Sequence, residues 1–287
     1  MELFNRAYAG YVIPFRLDET LLRFMVDTYD LDLDGSRVAF AGDDAVGLGN
    51  LGLRGEDAWI GGVGVVAAAR RRGIGETLMR ALHAEARERG VRNVWLEVID
   101  RNESAYELYV KLGYRVVREV EVWSLAAAAD GGAAHEVPAA EARARVRDVR
   151  QGREPWQRAD ATLDNLDDLR GVVTDDGAAV FLVTGAVQLL QIAGGGANEM
   201  LRALRGFGNV TVLNLPVDDP AADALRALGA TPAVRQREMV LELEGATLGA
   251  RWRSGSASSL RSPGRSRTTS TSTSRASRES SARSATP

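Results

Sequence analysis

The chain has 287 residues, 45% of them hydrophobic and 26% charged, which is enough for about two domains of ordinary size. The formal net charge is −3, but the segment after Gly249 carries eight Arg and one Glu, so the rest of the chain carries −10. An acidic body disfavours nucleic acid as the main partner and is compatible with cationic substrates.

The residue types that are scarce exclude several classes of protein. Without cysteine, the chain has no disulfides, no thiol nucleophile and no Cys-ligated zinc or iron-sulfur centre. His83 and His135 are the only histidines, so a His-rich metal site is not expected. No apolar run reaches the ~20 residues of a membrane span, and the N-terminal residues lack the order of a signal peptide. We expect a cytoplasmic protein without metal and without membrane contact.

The first half of the chain is typical of a mixed α/β unit. Alternating and helical periodicities predict, in order, a strand over 11–14, a helix over 19–29, a hairpin over 37–53, a strand over 58–66, a helix that ends at Gly90, a strand over 93–98, a helix over 104–112 and a strand over 115–125. A hairpin that leads into a strand-helix-strand-helix-strand unit predicts a central mixed sheet flanked by helices.

The second half resembles the first in the order of its elements. Strands are predicted over 180–183 and 187–193, followed by a glycine loop at 194–196, a helix over 198–205, a strand over 210–213, a helix over 221–228 and a strand over 234–243. We therefore predict a tandem of two units: a catalytic domain at 1–127, a linker at 128–140, a second domain at 141–249 and a disordered Ser/Arg-rich tail at 250–287.

One motif lies between an apolar strand and an amphipathic helix: Arg70-x-x-Gly73-x-Gly75. Backbone N–H groups at a helix N-terminus can converge on a diphosphate, and glycine lets the main chain approach its oxygens closely. On its own the motif could equally be a strand-to-helix turn with two glycines.

A second motif follows the strand at 93–98 and reads Asn102-x-x-Ala105-x-x-x-Tyr109-x-x-x-Gly113-Tyr114. Together the two motifs resemble the best-marked signatures of the GNAT superfamily, whose members transfer an acetyl group from acetyl-CoA to an amine. The resemblance is specific over about 58–125 and looser toward the N-terminus. It implies a GNAT-type fold in tandem and acetyl-CoA as co-substrate.

The resemblance also implies roles for individual residues. Main-chain N–H groups of 70–76 would hold the pyrophosphate, strand residues 65 and 66 would pair with the pantetheine arm, and Asn102 would touch the cofactor or brace the diverging strands. The predicted cofactor-binding residues are Val65, Val66, Arg70, Arg71, Arg72, Gly73, Ile74, Gly75, Glu76, Asn102 and Tyr109.

Tyr109 matches the family tyrosine that protonates the departing thiolate, a task that suits a phenol whose proton is held at neutral pH. The alternative is that Tyr109 is only a core residue of its helix.

For the base we expect Glu97, which stands twelve residues before Tyr109, as base and acid stand in the ribosomal-protein alanine acetyltransferases of the superfamily. Partial burial would raise its pKa into a useful range. Glu97 could instead pair with Arg92 or Arg115, and the reserve candidates are Glu56 and Asp57.

The second unit lacks the chemistry of the first. Gapless pairing of the two halves sets Leu225 against Tyr109 and Ile192 against Arg70, so we expect a degenerate GNAT copy that completes or covers the first unit. The alternative is that the second unit retains a vestigial ligand pocket.

The leading hypothesis for the whole protein is acetyl transfer to a primary amine of a small molecule or a protein N-terminus or lysine, by a monomer or homodimer. Rival hypotheses are a non-catalytic acyl-CoA sensor and an interaction scaffold. The sequence does not identify the acceptor.

Overall fold

The computed structural model describes residues 1–11, 16–129 and 131–243. All of them belong to one compact unit, Met1–Thr247. The tail predicted at 250–287 and most of the strand predicted at 11–14 lie outside the described residues. No helix within the described ranges is both long and apolar enough to cross a membrane.

The elements of the first half are α1 Glu2–Ala7, α2 Glu19–Tyr29, β1 Leu31–Ala41, β2 Asp44–Arg54, β3 Asp57–Val65, α3 Ile74–Glu88, β4 Asn93–Ile99, α4 Glu103–Lys111 and β5 Arg115–Leu125. From α2 onward they match the elements that the periodicity predicts, whereas α1 was not predicted. Local chemistry sets their limits: the Asp18 side chain caps α2 by accepting from the Leu21 N–H, and Gly90 ends α3 with a positive φ of 78°.

The second half continues the same sheet. Its elements are β6 His135–Pro138, α5 Ala139–Val149, α6 Asp160–Asp164, β7 Arg170–Val173, β8 Gly177–Val183, β9 Val187–Gly194, α7 Ala197–Arg205, β10 Val210–Pro216, α8 Pro220–Ala227 and β11 Thr231–Glu242. From β8 onward these match the prediction, whereas β6, α5, α6 and β7 were not predicted. The helix α5 buries only Ala142 and Val146 among many Arg and Ala residues, so its apolar periodicity is weak.

The predicted linker at 128–140 is wrong in its last residues, because 135–138 form β6 and α5 begins at Ala139. Strand β6 pairs antiparallel with β7, from His135 opposite Val173 to Pro138 opposite Arg170. It is the last strand at one edge of the sheet, so among the described residues its other side has no partner strand. A polar edge strand of four residues is held by this non-local pairing and has almost no periodic signal of its own.

The sheet has eleven strands in the order β1-β2-β3-β4-β11-β5-β10-β9-β8-β7-β6. The last strand of each half therefore lies inside the other half: β11 pairs antiparallel with both β4 and β5, and β5 in turn pairs with β10. The cores reflect this exchange. Met239 of β11 is fully buried in the core of the first half, and Trp123 of β5 is fully buried in that of the second. The predicted fold class, a mixed sheet flanked by helices in a tandem of two units, is confirmed.

The glycine loop of the second half is filled by its own chain. A side chain at Gly195 would collide with the Asp176 carboxylate, and one at Gly196 would lie 2.7 Å from Thr174. The turn at 174–177, between β7 and β8, is also hydrogen-bonded to this loop. The Gly195 N–H donates to the Asp176 carbonyl at 3.2 Å, and the Thr174 hydroxyl donates to the Gly195 carbonyl at 3.0 Å. The space beside these glycines is thus occupied by protein, including an acidic side chain.

Candidate active site

The site originates where two parallel strands diverge. β3 pairs with β4 over only three residue pairs, from Asp57 opposite Asn93 to Trp59 opposite Trp95. Beyond Trp59 the two strands separate, and within the described ranges β3 from Ile60 to Val65 pairs only with β2, on its other side. Two cavities, of about 630 and 300 Å³, lie along this opening. They share lining residues, among them Tyr8, Asn102 and Tyr109.

The larger cavity lies against the loop between β3 and α3. Gly73 immediately precedes α3 with φ of 80°, and Arg71 also has a positive φ, of 63°. Among the described residues, the first N–H of α3 with a backbone hydrogen bond is that of Thr77, which donates to the Gly73 carbonyl. The N–H groups before it are those that the start of a helix leaves for a ligand. A Cβ at Gly73 would meet no atom within 4 Å, and one at Gly75 would meet only Leu108, at 3.6 Å. The empty space next to these glycines suits a diphosphate.

Nine of the eleven predicted cofactor-binding residues line this cavity: Val65, Arg70, Arg71, Gly73, Ile74, Gly75, Glu76, Asn102 and Tyr109. Val66 does not, because its N–H donates to the Val46 carbonyl at 2.9 Å and its side chain is buried in the core. Arg72 is exposed and is not among the lining residues.

Two charged residues at the loop have structural partners of their own. The Arg70 guanidinium donates to the Val65 carbonyl at 2.9 Å and to the Ala7 carbonyl at 3.0 Å, so it ties the end of α1 to the loop. Glu76 pairs with Arg80 at 2.8 Å and with Lys111 at 2.6 Å. The hydrogen bond from Lys111, followed by that from Arg80, lowers the pKa of Glu76.

Asn102 is the N-cap of α4, where its side-chain oxygen accepts from the Ala105 N–H. Its amide nitrogen donates to the Tyr11 hydroxyl at 3.4 Å. The residue lines both cavities. It therefore fixes the start of the helix that carries Tyr109 and joins that helix to the N-terminal segment.

Tyr109 lies on α4 at the place where the two cavities meet. Its ring packs against Tyr114 with centroids 5.8 Å apart, so it is also part of the core of the first half. Burial, and after it the neighbouring Tyr11, raises the pKa of Tyr109 above the ordinary phenol value. The phenol is therefore neutral at physiological pH and can donate a hydrogen bond.

Glu97 lies on β4 and lines the smaller cavity, which Tyr109 also lines. One carboxylate oxygen, Oε2, accepts from the Trp59 indole at 2.8 Å and from the Gln157 amide at 3.4 Å. The other, Oε1, is buried and has no hydrogen-bond partner among the described residues. Burial and the neighbouring carboxylate of Glu238 raise the pKa of Glu97 to about 7, although the hydrogen bonds from Trp59 and Gln157 oppose the shift.

The alternative partners suggested for Glu97 are engaged elsewhere. Arg92 pairs with Glu56 at 3.1 Å, and Arg115 pairs with Glu242 at 2.5 Å. The reserve candidate Asp57 accepts from the Asn93 amide at 3.0 Å and from the Trp95 indole at 2.9 Å. Neither Glu56 nor Asp57 lines the cavities that Tyr109 lines. Among these carboxylates only Glu97 shares a cavity with Tyr109.

Two aromatic residues of the N-terminal segment were not identified from the sequence. Tyr8 and Tyr11 line both cavities, and their rings contact edge to face at 5.1 Å. Tyr8 fits against β3 because that strand carries glycine there: a Cβ at Gly62 would collide with the Tyr8 hydroxyl, and one at Gly64 would lie 2.8 Å from its ring. Glycine inside a strand marks the close approach of another group, so the run at 61–64 contained a usable signal.

Residues of the second half also line the smaller cavity, namely Gln157, Asn214 and Gln236. Gln157 lies in the turn Trp156–Arg158, Asn214 on β10 and Gln236 on β11. The exchange of the last strands carries Gln236 next to β4, where it is paired with Ile99. No sequence motif marks these three amides, because their proximity to Glu97 depends on non-local strand pairing.

Residues 4–114 match the sequence model of the acetyltransferase (GNAT) family. Three solved structures share the fold. A GCN5-related N-acetyltransferase from Sphaerobacter thermophilus aligns with a TM-score of 0.65 and 17% identity over 84% of this chain and 90% of its own. A tandem GNAT protein from the clavulanic acid biosynthesis pathway aligns with a TM-score of 0.55 and 17% identity over 84% and 93%. One from Kribbella flavida, also GCN5-related, aligns with a TM-score of 0.52 and 19% identity over 84% and 69%.

No curated protein matches the sequence significantly. The family match spans the diverging strands, the glycine loop and the helix that carries Tyr109. The similarity to the three solved structures extends over both halves of the described chain. Residues 4–114 therefore form a domain of the acetyltransferase (GNAT) family, and the described chain shares its fold with solved GNAT structures, among them a tandem one.

Proposed function

We propose that this enzyme transfers an acetyl group from acetyl-CoA to a primary amine by direct attack within a ternary complex. The observation that carries the proposal is the placement of two groups that line one cavity: the Glu97 carboxylate, whose buried Oε1 has no hydrogen-bond partner among the described residues, and the neutral phenol of Tyr109. That cavity adjoins the larger one, which has the glycine loop at its wall. A base for the amine and an acid for the thiolate are the two groups that the reaction requires.

In the proposed step the Glu97 carboxylate takes a proton from the ammonium bound in the cavity that Glu97 lines. The amine nitrogen then forms a bond with the thioester carbonyl carbon, and the carbon-sulfur bond breaks. Tyr109 donates its phenolic proton to the departing sulfur and regains a proton from the nitrogen, which becomes the amide. The proton left on Glu97 returns to solvent. The raised pKa of Glu97, about 7, suits a base that must both take and release a proton near neutrality.

For acetyl-CoA we propose contacts along the larger cavity. The N–H groups of Gly73, Ile74, Gly75 and Glu76 would bind the pyrophosphate at the N-terminus of α3. The edge of β3 that has no partner strand among the described residues, up to Val65, would pair with the pantetheine arm and so direct the thioester toward Tyr109. Arg71, which is exposed beside the loop, adds a positive charge.

We infer that the second half, about 141–249, does not catalyse. Its loop glycines are packed against the Thr174–Gly177 turn, and Asp176 places a negative charge where a diphosphate would bind. Leu225, set against Tyr109 by the sequence pairing, is fully buried in the core of this half. The second half instead supplies β11 and part of the wall of the smaller cavity, where we expect the acceptor amine to bind.

The experiment that tests the proposal is a thiol-release assay with acetyl-CoA and a panel of amines. Tyr109→Phe should lower kcat at least tenfold, equivalent to about 1.4 kcal/mol of barrier, while calorimetry shows unchanged coenzyme A affinity. The matched control is Tyr106→Phe on the same helix, since Tyr106 packs against Arg237 and does not line either cavity.

Initial rates at varied concentrations of both substrates test the order of events. A ternary complex predicts intersecting double-reciprocal lines, whereas parallel lines indicate a covalent acetyl-enzyme and would contradict direct attack. An enzyme that binds acetyl-CoA but releases no thiol with any amine would support the alternative of an acyl-CoA sensor.

A further inference from the structure

We propose that Gln236 is a specificity-determining residue, and that the acceptor is a small cationic amine with a second hydrogen-bond donor about four carbons from the reacting nitrogen and no anionic group. This inference rests on the function proposed above. It follows from a chain of three amides that begins at Glu97 and belongs entirely to the second half.

The chain of hydrogen bonds has one possible direction. Ionised Glu97 only accepts, so Gln157 presents its amide nitrogen to Glu97 Oε2 at 3.4 Å. The Gln157 oxygen then accepts from Asn214 Nδ2 at 2.9 Å, and the Asn214 oxygen accepts from Gln236 Nε2 at 2.7 Å. Gln236 Oε1 is left at the end of the chain. The carboxylate thus dictates that the cavity wall ends in a hydrogen-bond acceptor.

The strand register places that acceptor at a defined separation from the base. Glu97 is paired with Glu238 across β4 and β11, and Gln236 is two residues from Glu238 on the same strand. Paired residues, and residues two apart on one strand, share a face of the sheet. The two side chains are therefore on one face with an offset of about 7 Å along the strand. An extended four-carbon chain with a nitrogen at one end and a donor at the other spans about 6 Å.

The remaining walls select against anions. None of the described residues that line this cavity is Lys or Arg, and its one carboxylate is Glu97. Aromatic side chains, Phe4, Tyr8, Tyr11 and Trp59 among them, make up much of the surface. Aromatic surface and one carboxylate favour an ammonium ion, whereas a carboxylate or phosphate on the substrate would be desolvated without a cation to balance it. The volume of about 300 Å³ limits the acceptor to a small molecule or one extended chain end.

The test compares straight-chain primary amines that have four methylene groups between the reacting nitrogen and a terminal group, which is methyl, hydroxyl, ammonium or carboxylate. The expected order of kcat/KM with the full-length enzyme sets the hydroxyl and ammonium compounds roughly tenfold above the methyl compound, and the carboxylate compound below it. Equal rates for hydroxyl and methyl, or a preference for the carboxylate, would overturn the inference. Absence of amine-dependent thiol release with every compound, together with bound acetyl-CoA, would instead contradict the proposed function.

Two variants, Gln236→Met and Asn214→Asp, separate the roles of these residues in the chain of hydrogen bonds. Gln236→Met keeps the size of the side chain and removes its hydrogen bonds, so the ratio of hydroxyl to methyl rates should fall to about one. Gln188→Met, a change of the same type on β9 outside the cavity, should leave the ratio unchanged. A ratio that survives Gln236→Met in an enzyme of unchanged melting temperature would refute the role of Gln236.

Asn214→Asp tests the orienting role of Asn214. The new carboxylate would still accept from the Gln236 amide, but it could not donate to the Gln157 oxygen. The Gln157 amide would then rotate, so that its nitrogen donates to the new carboxylate and its oxygen faces Glu97. The groups that face Glu97 are Trp59 and Gln157, with Glu238 and Arg153 nearby. The acidic limb of the kcat/KM profile should move to higher pH by about one unit, with the hydroxyl-to-methyl ratio retained. An unmoved limb would refute the coupling between Asn214 and Glu97.

Discussion

Replacing Glu97 by glutamine should abolish most of the activity and at the same time stabilise the protein at alkaline pH. The new side chain keeps an oxygen to accept from Trp59 and Gln157, and it places a neutral amide where Oε1 is now buried without a partner among the described residues. The substitution is isosteric and removes a buried negative charge next to Glu238. Buried charge that serves catalysis is a frequent source of lost stability in active sites.

The magnitude follows from the difference in proton binding between the folded and unfolded states. Folded Glu97 has a pKa of about 7, against an ordinary value of 4.5 in the unfolded chain. Between these pH values the folded state binds more protons, so the stability of the wild-type protein falls as pH rises through this window. At 1.36 kcal/mol per pKa unit, ionisation of Glu97 lowers the free energy of unfolding by about 3 kcal/mol at pH 8.5 and by less than about 1 kcal/mol at pH 5.

The assay is urea unfolding of both proteins at pH 5 and pH 8.5. Glu97→Gln should exceed the wild-type free energy of unfolding by about 2 to 3 kcal/mol at pH 8.5 and by much less at pH 5. Glu88→Gln, on the exposed C-terminal end of α3, controls for the loss of a surface carboxylate and should show little difference at either pH. If the advantage of the Glu97→Gln variant were absent at pH 8.5 or equal at both values, the raised pKa of Glu97 would be refuted.

Three further outcomes are expected. The kcat/KM of the wild-type enzyme should rise with pH up to about 7 and then level off, since the base must be ionised; a flat profile between pH 5 and 8 would contradict the role of Glu97. Gly75→Ala should keep the melting temperature, because the new Cβ has its nearest neighbour at 3.6 Å, but should weaken coenzyme A binding roughly tenfold by calorimetry, since it fills the space beside the loop. Residues 1–127 expressed alone should fail to give a stable monomer by analytical ultracentrifugation, because β4 and β5 then lose β11, which lies between them; a folded monomer would show that the first half does not need the exchanged strand.

Local rules were sufficient for most of the helices and strands. Apolar residues at 78, 82 and 86 with a glycine at 90 define α3, and the structure gives a helix with that face buried. The short strands β6 and β7 and the helix α5 were missed because their apolar pattern is too brief or too dilute to register. The glycines at 73 and 75 mark the loop before α3 through backbone geometry alone, which is a local property.

The residues of the candidate site also fall into those that local sequence predicts and those that only strand pairing brings together. The sequence by itself determined the family resemblance, the loop, the position of Tyr109 on its helix and the choice of Glu97 as candidate base, since these depend on residue types at fixed short spacings. Only the tertiary structure decided what surrounds Glu97: β11 enters between β4 and β5, and with it come Glu238 and Gln236, more than a hundred residues away in the chain. Strand pairing is specified by complementary faces and backbone hydrogen bonds across the whole sheet, so its partner cannot be read from the periodicity of either strand alone.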